Sequence, residues 1–318
     1  MKLIRNINHL EFKTRSCILT IGNFDGVHLG HQKLLNLICK KKEEHKKPAT
    51  VIIFEPQPKE FFYPKNPPTR IMTFREKIKY LSQWDIDIIL CICFNKNFSL
   101  INPMNFVTKI LVKKLNIFFL AVGENFRFGT KKQGNITFLK EMGKNFNFEV
   151  YTTKILKINQ IKVSSTAIRI ALKNNDLKLA KKLLGRSFSI SGRVIHGKKN
   201  GTLIGFPTAN VTLYKNKAPI SGVFAVKVFV FSLKQMFFGV ANVGTRPTML
   251  GIKQMLEVHL INVSINLYKK RIEVIFIKKI RNEIFFSSIE NLKKQIKCDV
   301  NEANLHFNKY SNKTSHYK

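Results

Sequence analysis

Cys17-Ile18-Leu19-Thr20-Ile21-Gly22-Asn23-Phe24-Asp25-Gly26-Val27-His28-Leu29-Gly30-His31 reads as a strand, a tight turn and the start of a helix. Cys17 to Ile21 is a short apolar run of the kind buried in a sheet. Gln32 to Lys40 follows with Leu34, Leu35 and Ile38 on one helical side. The first turn of a helix has unpaired N–H groups and the positive end of a dipole, so this junction suits an anion. Glycines at 22, 26 and 30 let the backbone approach a phosphate without a Cβ in the way. His28 and His31, three apart, can face one ligand and donate to phosphate oxygens as charge builds on them. The pattern therefore fits a nucleoside triphosphate attacked at phosphorus. The plainer alternatives are a tight turn satisfied by Asp25 and two surface histidines. Half of a metal site is a third, although no zinc spacing lies nearby.

The 318 residues are enough for two domains, and 44% hydrophobic residues are enough for packed cores. The net charge of +36 raises nucleic acid or a membrane surface as partners. The basic residues, however, run along the whole chain, from Lys40-Lys41-Lys42 to Lys278-Lys279. They form no separate arm, no RNA-recognition signature and no zinc finger, which fits compositional drift in an AT-rich genome. An odd number of cysteines, five, no secretory leader after Met1 and no apolar run of about 18 residues point to a soluble cytoplasmic protein.

The first half alternates strands and helices. Thr50 to Phe54, Ile86 to Phe94 and Ile117 to Val122 read as strands, and Phe74 to Gln83 and Asn102 to Leu115 as helices. This is the pattern of an α/β, doubly wound parallel sheet, whose ligands sit beyond the carboxyl ends of strands. The loops Gly22 to His31, Glu55 to Pro58 and Gly123 to Gly129 all follow strands. Ser164-Ser165-Thr166, with Arg169 a turn later, reads as a helix cap able to hold phosphate as well. Near Gly185 the pattern changes to six short strands, a small antiparallel β-barrel, then a terminal helix from Ile289 to Phe307. The expected division is 1–184, 185–310 and a polar tail at 311–318.

In the barrel half, Gly197, Gly201 and Gly205 make a loop rich in N–H donors ahead of Pro207-Thr208-Ala209-Asn210. Thr208 and Asn210 share a strand face, where neutral oxygens can ligate Mg²⁺ already held by a nucleotide. Glu257, in Leu256-Glu257-Val258-His259-Leu260, alternates with apolar residues and is a candidate general base for a hydroxyl. Ordinary turns, polar decoration of a strand start and a solvent-facing glutamate are the simpler readings of these three features.

Taken together, these segments resemble the bacterial bifunctional riboflavin kinase/FMN adenylyltransferase family, also called FAD synthetase. The resemblance spans about Leu3 to Phe307 and includes Phe54-Glu55-Pro56-Gln57-Pro58, Gly205 to Asn210, Gly239 to Thr248 and Leu256 to His259. It implies a nucleotidyltransferase domain that turns FMN and ATP into FAD and pyrophosphate. It also implies a riboflavin kinase barrel that turns riboflavin and ATP into FMN. Under that resemblance His28 and His31 stabilise the reacting phosphates. Gly22, Phe24, Gly30, Asn125, Ser164, Ser165, Thr166 and Arg169 bind nucleotide in the first half. Gly197, Gly201 and Gly205 do so in the barrel, where Thr208 and Asn210 sit at Mg²⁺ and Glu257 is the base. The implied partners are riboflavin, FMN and ATP, with no dedicated nucleic acid and no membrane. Two places depart from the family pattern: Lys269 stands where a glycine is usual, and Thr202-Leu203 replaces an Arg-Thr-like pair. Another H-x-G-H nucleotidyltransferase would leave the barrel unexplained, and a basic nucleic-acid-binding protein would leave every motif unexplained.

Overall fold

β2 (Cys17–Ile21) is buried at all five positions, as an apolar run with no polar face must be in the middle of a covered sheet. The computed structural model describes residues 1–5, 16–197, 201, 204–248 and 251–314. They form two compact units: Met1–Pro68 with Phe74–Ser165, and Thr69–Thr73 with Thr166–Lys318.

The first unit is a six-stranded parallel sheet in the order β1-β4-β3-β2-β5-β6. Its strands are β1 (Lys2–Ile4), β2, β3 (Ala49–Phe54), β4 (Ile88–Ile92), β5 (Ile117–Gly123) and β6 (Glu149–Thr153). A two-residue-per-strand hairpin, β7 (Lys157–Ile158) and β8 (Ile161–Lys162), follows. The helices are α1 (Leu29–His45), α2 (Pro58–Phe62), α3 (Phe74–Leu81), α4 (Lys96–Ser99), α5 (Pro103–Asn105) and α6 (Ile136–Phe146). Leu19, Ile21, Leu120 and Val122 of the sheet pack with Phe106, Leu111 and Leu139 of the helices in one core cluster. Strand order runs outward from β2 through β3 to β4 on one side, and from β5 to β6 on the other. The crevice where that order reverses, between the carboxyl ends of β2 and β5, is where such sheets take ligands.

The helix expected over Asn102–Leu115 is instead a short α5, capped by the Asn102 side chain, running into π-helical turns over Phe106–Lys114. β1 and β6 carry no long apolar alternation and were not legible from the sequence.

In the second unit, α7 (Ser165–Lys173) and α8 (Leu177–Leu184) precede a closed antiparallel barrel in the order β10-β13-β12-β11-β14-β9. The strands are β9 (Ser189–Ile195), β10 (Ala209–Val211), β11 (Gly222–Val230), β12 (Gln235–Thr248), β13 (Gly251–Leu260) and β14 (Arg271–Arg281). β11 is buried on both faces. Phe224 points inward to meet Phe276 edge to face at 5.3 Å, and Val223 and Ala225 pack outward against the terminal helix α9 (Ile289–Thr314) through Ala303 and Phe307. No glycine or proline interrupts the chain after Gly251, and α9 continues into the stretch expected as tail. The last residues of that tail, 315–318, lie outside the described residues.

Lys269 adopts φ 62° in the turn between β13 and β14, with its N–H donating to Val194 O at 3.0 Å. That conformation crowds a Cβ, so the lysine is strained where glycine would not be. Lys269→Gly should raise barrel stability by about 1 kcal/mol, read as an upward shift of the thermal midpoint by ~2–4 °C. A lower midpoint would show that the lysine side chain does more than occupy the turn. The Cys17 thiol is a second local case: burial pushes it up to about 12. Its folded pKa lies above the unfolded one, so its stabilising contribution holds below the ordinary thiol pKa and declines from there towards pH 12. Thiol labelling of the native protein should modify exposed Cys93 and Cys298 and spare Cys17 until unfolding.

Candidate active sites

The turn after β2 is locally unfavourable backbone held by burial and hydrogen bonds. Phe24 and Val27 take φ 47° and φ 38°, conformations that cost free energy in residues with a Cβ, above all in β-branched valine. Phe24 is fully buried, the Gln32 side chain donates to Val27 O at 3.0 Å, and Ser165 Oγ donates to Asp25 O at 2.8 Å. The last bond ties Ser165, the final residue of the first unit, to the turn, so Ser164 and Ser165 lie beside the start of α1.

His28 is the N-cap of α1, and its Nδ1 accepts from the His31 N–H at 3.3 Å. An Nδ1 that accepts is unprotonated, which assigns the proton of neutral His28 to Nε2. The two imidazoles stack with centroids 3.6 Å apart, and Phe24 meets His31 at 4.9 Å. Gly30 leaves room for this arrangement: a Cβ there would come within 3.2 Å of the His28 ring and press on it. Gly22 faces the Phe24 ring in the same way at 3.2 Å. Asn125 is exposed in the turn after β5. Thr166 and Arg169 lie on α7 within the second unit, where Thr166 is exposed and Arg169 Nε donates to Thr69 O at 2.7 Å.

The barrel places its candidate residues in one cross-strand row. Asn210 of β10 is opposite Glu257 of β13, Glu257 is opposite Asn242 of β12, and Asn242 is opposite Val223 of β11. Val223 is opposite Arg281 of β14. Directly opposed residues share a face, so all five side chains lie on the outside of the barrel. A cavity of about 530 Å³ opens over the row, between the barrel and α9. Glu257, Asn242, Val223 and Arg281 line it, together with Thr208 and Gly201 and, from α9 and the segment before it, Ile289, Leu292 and Phe286. Glu257 thus faces a cavity, not bulk solvent. The carboxamide oxygens of Asn210 and Asn242 are both buried and have no hydrogen-bond partner among the described residues.

Gly197 lies against the Asn210 carboxamide and Gly201 against Phe206 O and the Thr208 hydroxyl, leaving no room for a Cβ at either. Gly205 takes φ 85° in the loop before β10. The intervening Lys198, Lys199, Asn200, Thr202 and Leu203 lie outside the described residues. His259 Nδ1 is 3.0 Å from Pro207 O and fixes the end of this loop to β13.

Asn242, Arg281 and Asp299 escaped the sequence reading. Asn242 becomes visible only through its register with Glu257. Arg281 forms a two-pronged pair with Asp299 of α9, at 2.8 Å from Nε to Oδ1 and 2.7 Å from Nη2 to Oδ2. Gln295 adds a third bond to Asp299 at 3.0 Å.

The chain matches the FAD synthetase family model over residues 11–167 and the riboflavin kinase model over residues 184–307. It is 50% identical over 311 residues to a bifunctional riboflavin kinase/FMN adenylyltransferase of Buchnera aphidicola subsp. Schizaphis graminum, covering 97% of this chain and 99% of that one. It is 45% identical over 300 residues to the protein of that name in Escherichia coli strain K12, covering 94% and 96%. A solved structure described as a macrolide-efflux protein from Streptococcus pneumoniae superposes with a TM-score of 0.81 at 27% identity, covering 95% of this chain and 98% of that one. Among the described residues, no helix is long and apolar enough to cross a membrane.

Asp299 is 2% exposed and holds α9 to the end of β14. Removing one partner of a buried, hydrogen-bonded pair leaves the other charge uncompensated, at a cost of about 3–5 kcal/mol. Asp299→Ala should therefore lower the unfolding free energy of the barrel by about that amount in denaturant titration. A loss below about 1 kcal/mol would mean that the pair behaves as a solvated surface bridge.

Proposed function

The chain belongs to the bifunctional riboflavin kinase/FMN adenylyltransferase family, and from that premise we propose how its two sites divide the work. The enzyme phosphorylates riboflavin to FMN and adenylylates FMN to FAD. We assign ATP as the donor in both steps, Mg²⁺ as the accompanying ion and the cytoplasm as the compartment. All five cysteines are free, which suits a reducing environment.

The barrel is the proposed kinase site, and the row Asn210-Glu257-Asn242 beneath the cavity carries that assignment. Glu257 takes the proton from the riboflavin 5′-hydroxyl as its oxygen bonds to the γ-phosphorus, and ADP leaves. Such base assistance is commonly worth 10²–10⁴-fold. The Gly197, Gly201 and Gly205 loop supplies backbone N–H groups to the phosphates. Thr208 and Asn210 would hold the metal ion: the buried Asn210 oxygen, which has no partner among the described residues, and the neighbouring hydroxyl are neutral donors suited to an ion already bound by phosphates. Mg²⁺ there would offset charge on the phosphoryl oxygens.

The junction of β2 and α1 is the proposed adenylyltransferase site. An oxygen of the FMN phosphate attacks the α-phosphorus of ATP, and the bond to the β-phosphate breaks to release pyrophosphate. His28, with its proton on Nε2, and His31 donate to the oxygens that gain charge, aided by the N-terminus of α1. Gly22, Phe24 and Gly30 shape the turn around the nucleotide, and Asn125 reaches its phosphates. Ser164 and Ser165 hold the pyrophosphate end, a role that Thr166 and Arg169 share under the family pattern.

Two variants separate the sites in flavin chromatography. His28→Ala should slow FAD formation from supplied FMN by about 10²-fold and leave riboflavin phosphorylation intact. Glu257→Gln should lose most FMN formation, about 10²-fold or more, while still converting FMN to FAD. If either change lowers both activities together, its effect is structural and the assignment fails.

A further inference from the structure

We infer that Asn242 is a substrate-binding residue of the kinase: its side-chain oxygen accepts a hydrogen bond from the 4′-hydroxyl of the riboflavin ribityl chain. It thereby selects the terminal hydroxyl as the one presented to Glu257. This rests on the kinase reading of the cavity.

Three observations carry it. Asn242 Oδ1 is buried with no donor among the described residues, which is unfavourable for an acceptor unless something bound there supplies one. Its neighbours in the row do not: Glu257 on one side is acceptor-only when ionised, and Val223 on the other is apolar. Asn242 and Glu257 both line the cavity, and directly opposed residues have Cβ atoms about 4.5–5.5 Å apart. That spacing lets one short polyol segment reach both.

The order of the row gives the direction. Asn210 begins the row beside Gly197, and Thr208 lies beside Gly201, so the phosphate-binding loop is at the Asn210 side; beyond Asn242 the row continues to Val223 and Arg281. Phosphate donor, reacting hydroxyl and polyol then follow the order glycine loop, Glu257, Asn242. With the 5′-hydroxyl at Glu257, the next hydroxyl back along the chain meets Asn242. Carbon chains lacking that donor leave the asparagine oxygen unpaired, which is how a site built to hydrogen-bond a hydroxyl rejects the analogue without it.

The test uses the full-length enzyme with riboflavin and 4′-deoxyriboflavin, scoring kcat/KM for phosphorylation and flavin affinity by fluorescence. The wild type should prefer riboflavin by about 10-fold. Asn242→Ala should lose about 10-fold on riboflavin and nothing further on the deoxy compound, so the preference falls to near unity. FMN adenylylation by the same preparation should stay within about twofold, which shows that the protein is folded. Should the alanine variant fail to fold, Asn242→Ser, which is too short to reach the same hydroxyl, carries the same comparison. An unchanged preference in the folded variant overturns the inference while leaving the kinase site standing. Normal riboflavin phosphorylation by Glu257→Gln in parallel would instead remove the kinase reading of the cavity, and this inference with it.

Discussion

A one-residue slip of β13 against β12 would turn Glu257 into the barrel and bring Leu256 and Val258 out of it. Side chains alternate along a strand, so register decides which residues meet the cavity. Leu256 is 0% exposed and Val258 1%, and burying them fixes the register. Burial of such side chains is worth about 1.5–3 kcal/mol each, more than a slipped arrangement could recover from exposed polar groups. The apolar residues that never meet a ligand therefore hold Asn210, Glu257 and Asn242 in line. The same logic extends to β11, where Phe224 faces inward and Val223 ends up in the cavity floor.

The first unit arranges its groups by a different device. There the positive end of α1 and the stacked pair His28 and His31 are brought together by a turn whose backbone is unfavourable at Phe24 and Val27. Strained residues of this kind persist only where the surroundings over-determine them, and they cluster at functional sites. Here the over-determination is visible: the buried Phe24 ring, the Gln32 bond to Val27 and the Ser165 bond to Asp25. A helix terminus suits charge developing on phosphate, whereas a row on a barrel suits the proposed removal of one proton by a carboxylate set among neutral oxygens.

The difference between the two devices explains what the sequence made legible. A strand, a glycine turn and a helix start are contiguous, so the geometry of the β2–α1 junction could be read from Cys17 to Gln32. The alternation of strands and helices and the later six strands were legible for the same reason. The barrel row is assembled from residues 210, 223, 242, 257 and 281, and no local spacing announces that they are neighbours. Glu257 and Asn210 were found through local motifs. Asn242 lay within a quoted motif with no local sign of its role. Arg281 and Asp299 meet across 18 residues of loop and helix, and only the folded chain pairs them. The π-helical turns at Phe106–Lys114 were read as ordinary helix because the same apolar spacing serves both.

The excess of basic residues sharpens the reading of the acids. The chain has 55 lysines and arginines against 19 aspartates and glutamates, so a carboxylate is scarce. Acids are rarely buried unless paired or hydrogen-bonded. Yet Asp25, Glu60, Glu76, Glu273 and Asp299 are all buried, while Glu257 and Glu283 line the barrel cavity. Several have visible partners: Glu60 accepts from Gln57 N–H at 3.1 Å, Glu273 from the Ser189 hydroxyl at 2.8 Å, and Asp299 from Arg281. A diffuse positive field attracts phosphates to the whole surface without choosing among them. Choice falls instead to the few carboxylates and neutral oxygens that the two folds hold in fixed places. In the barrel the proposed choice of one hydroxyl of a polyol over the next falls to one asparagine oxygen on the strand beside one glutamate.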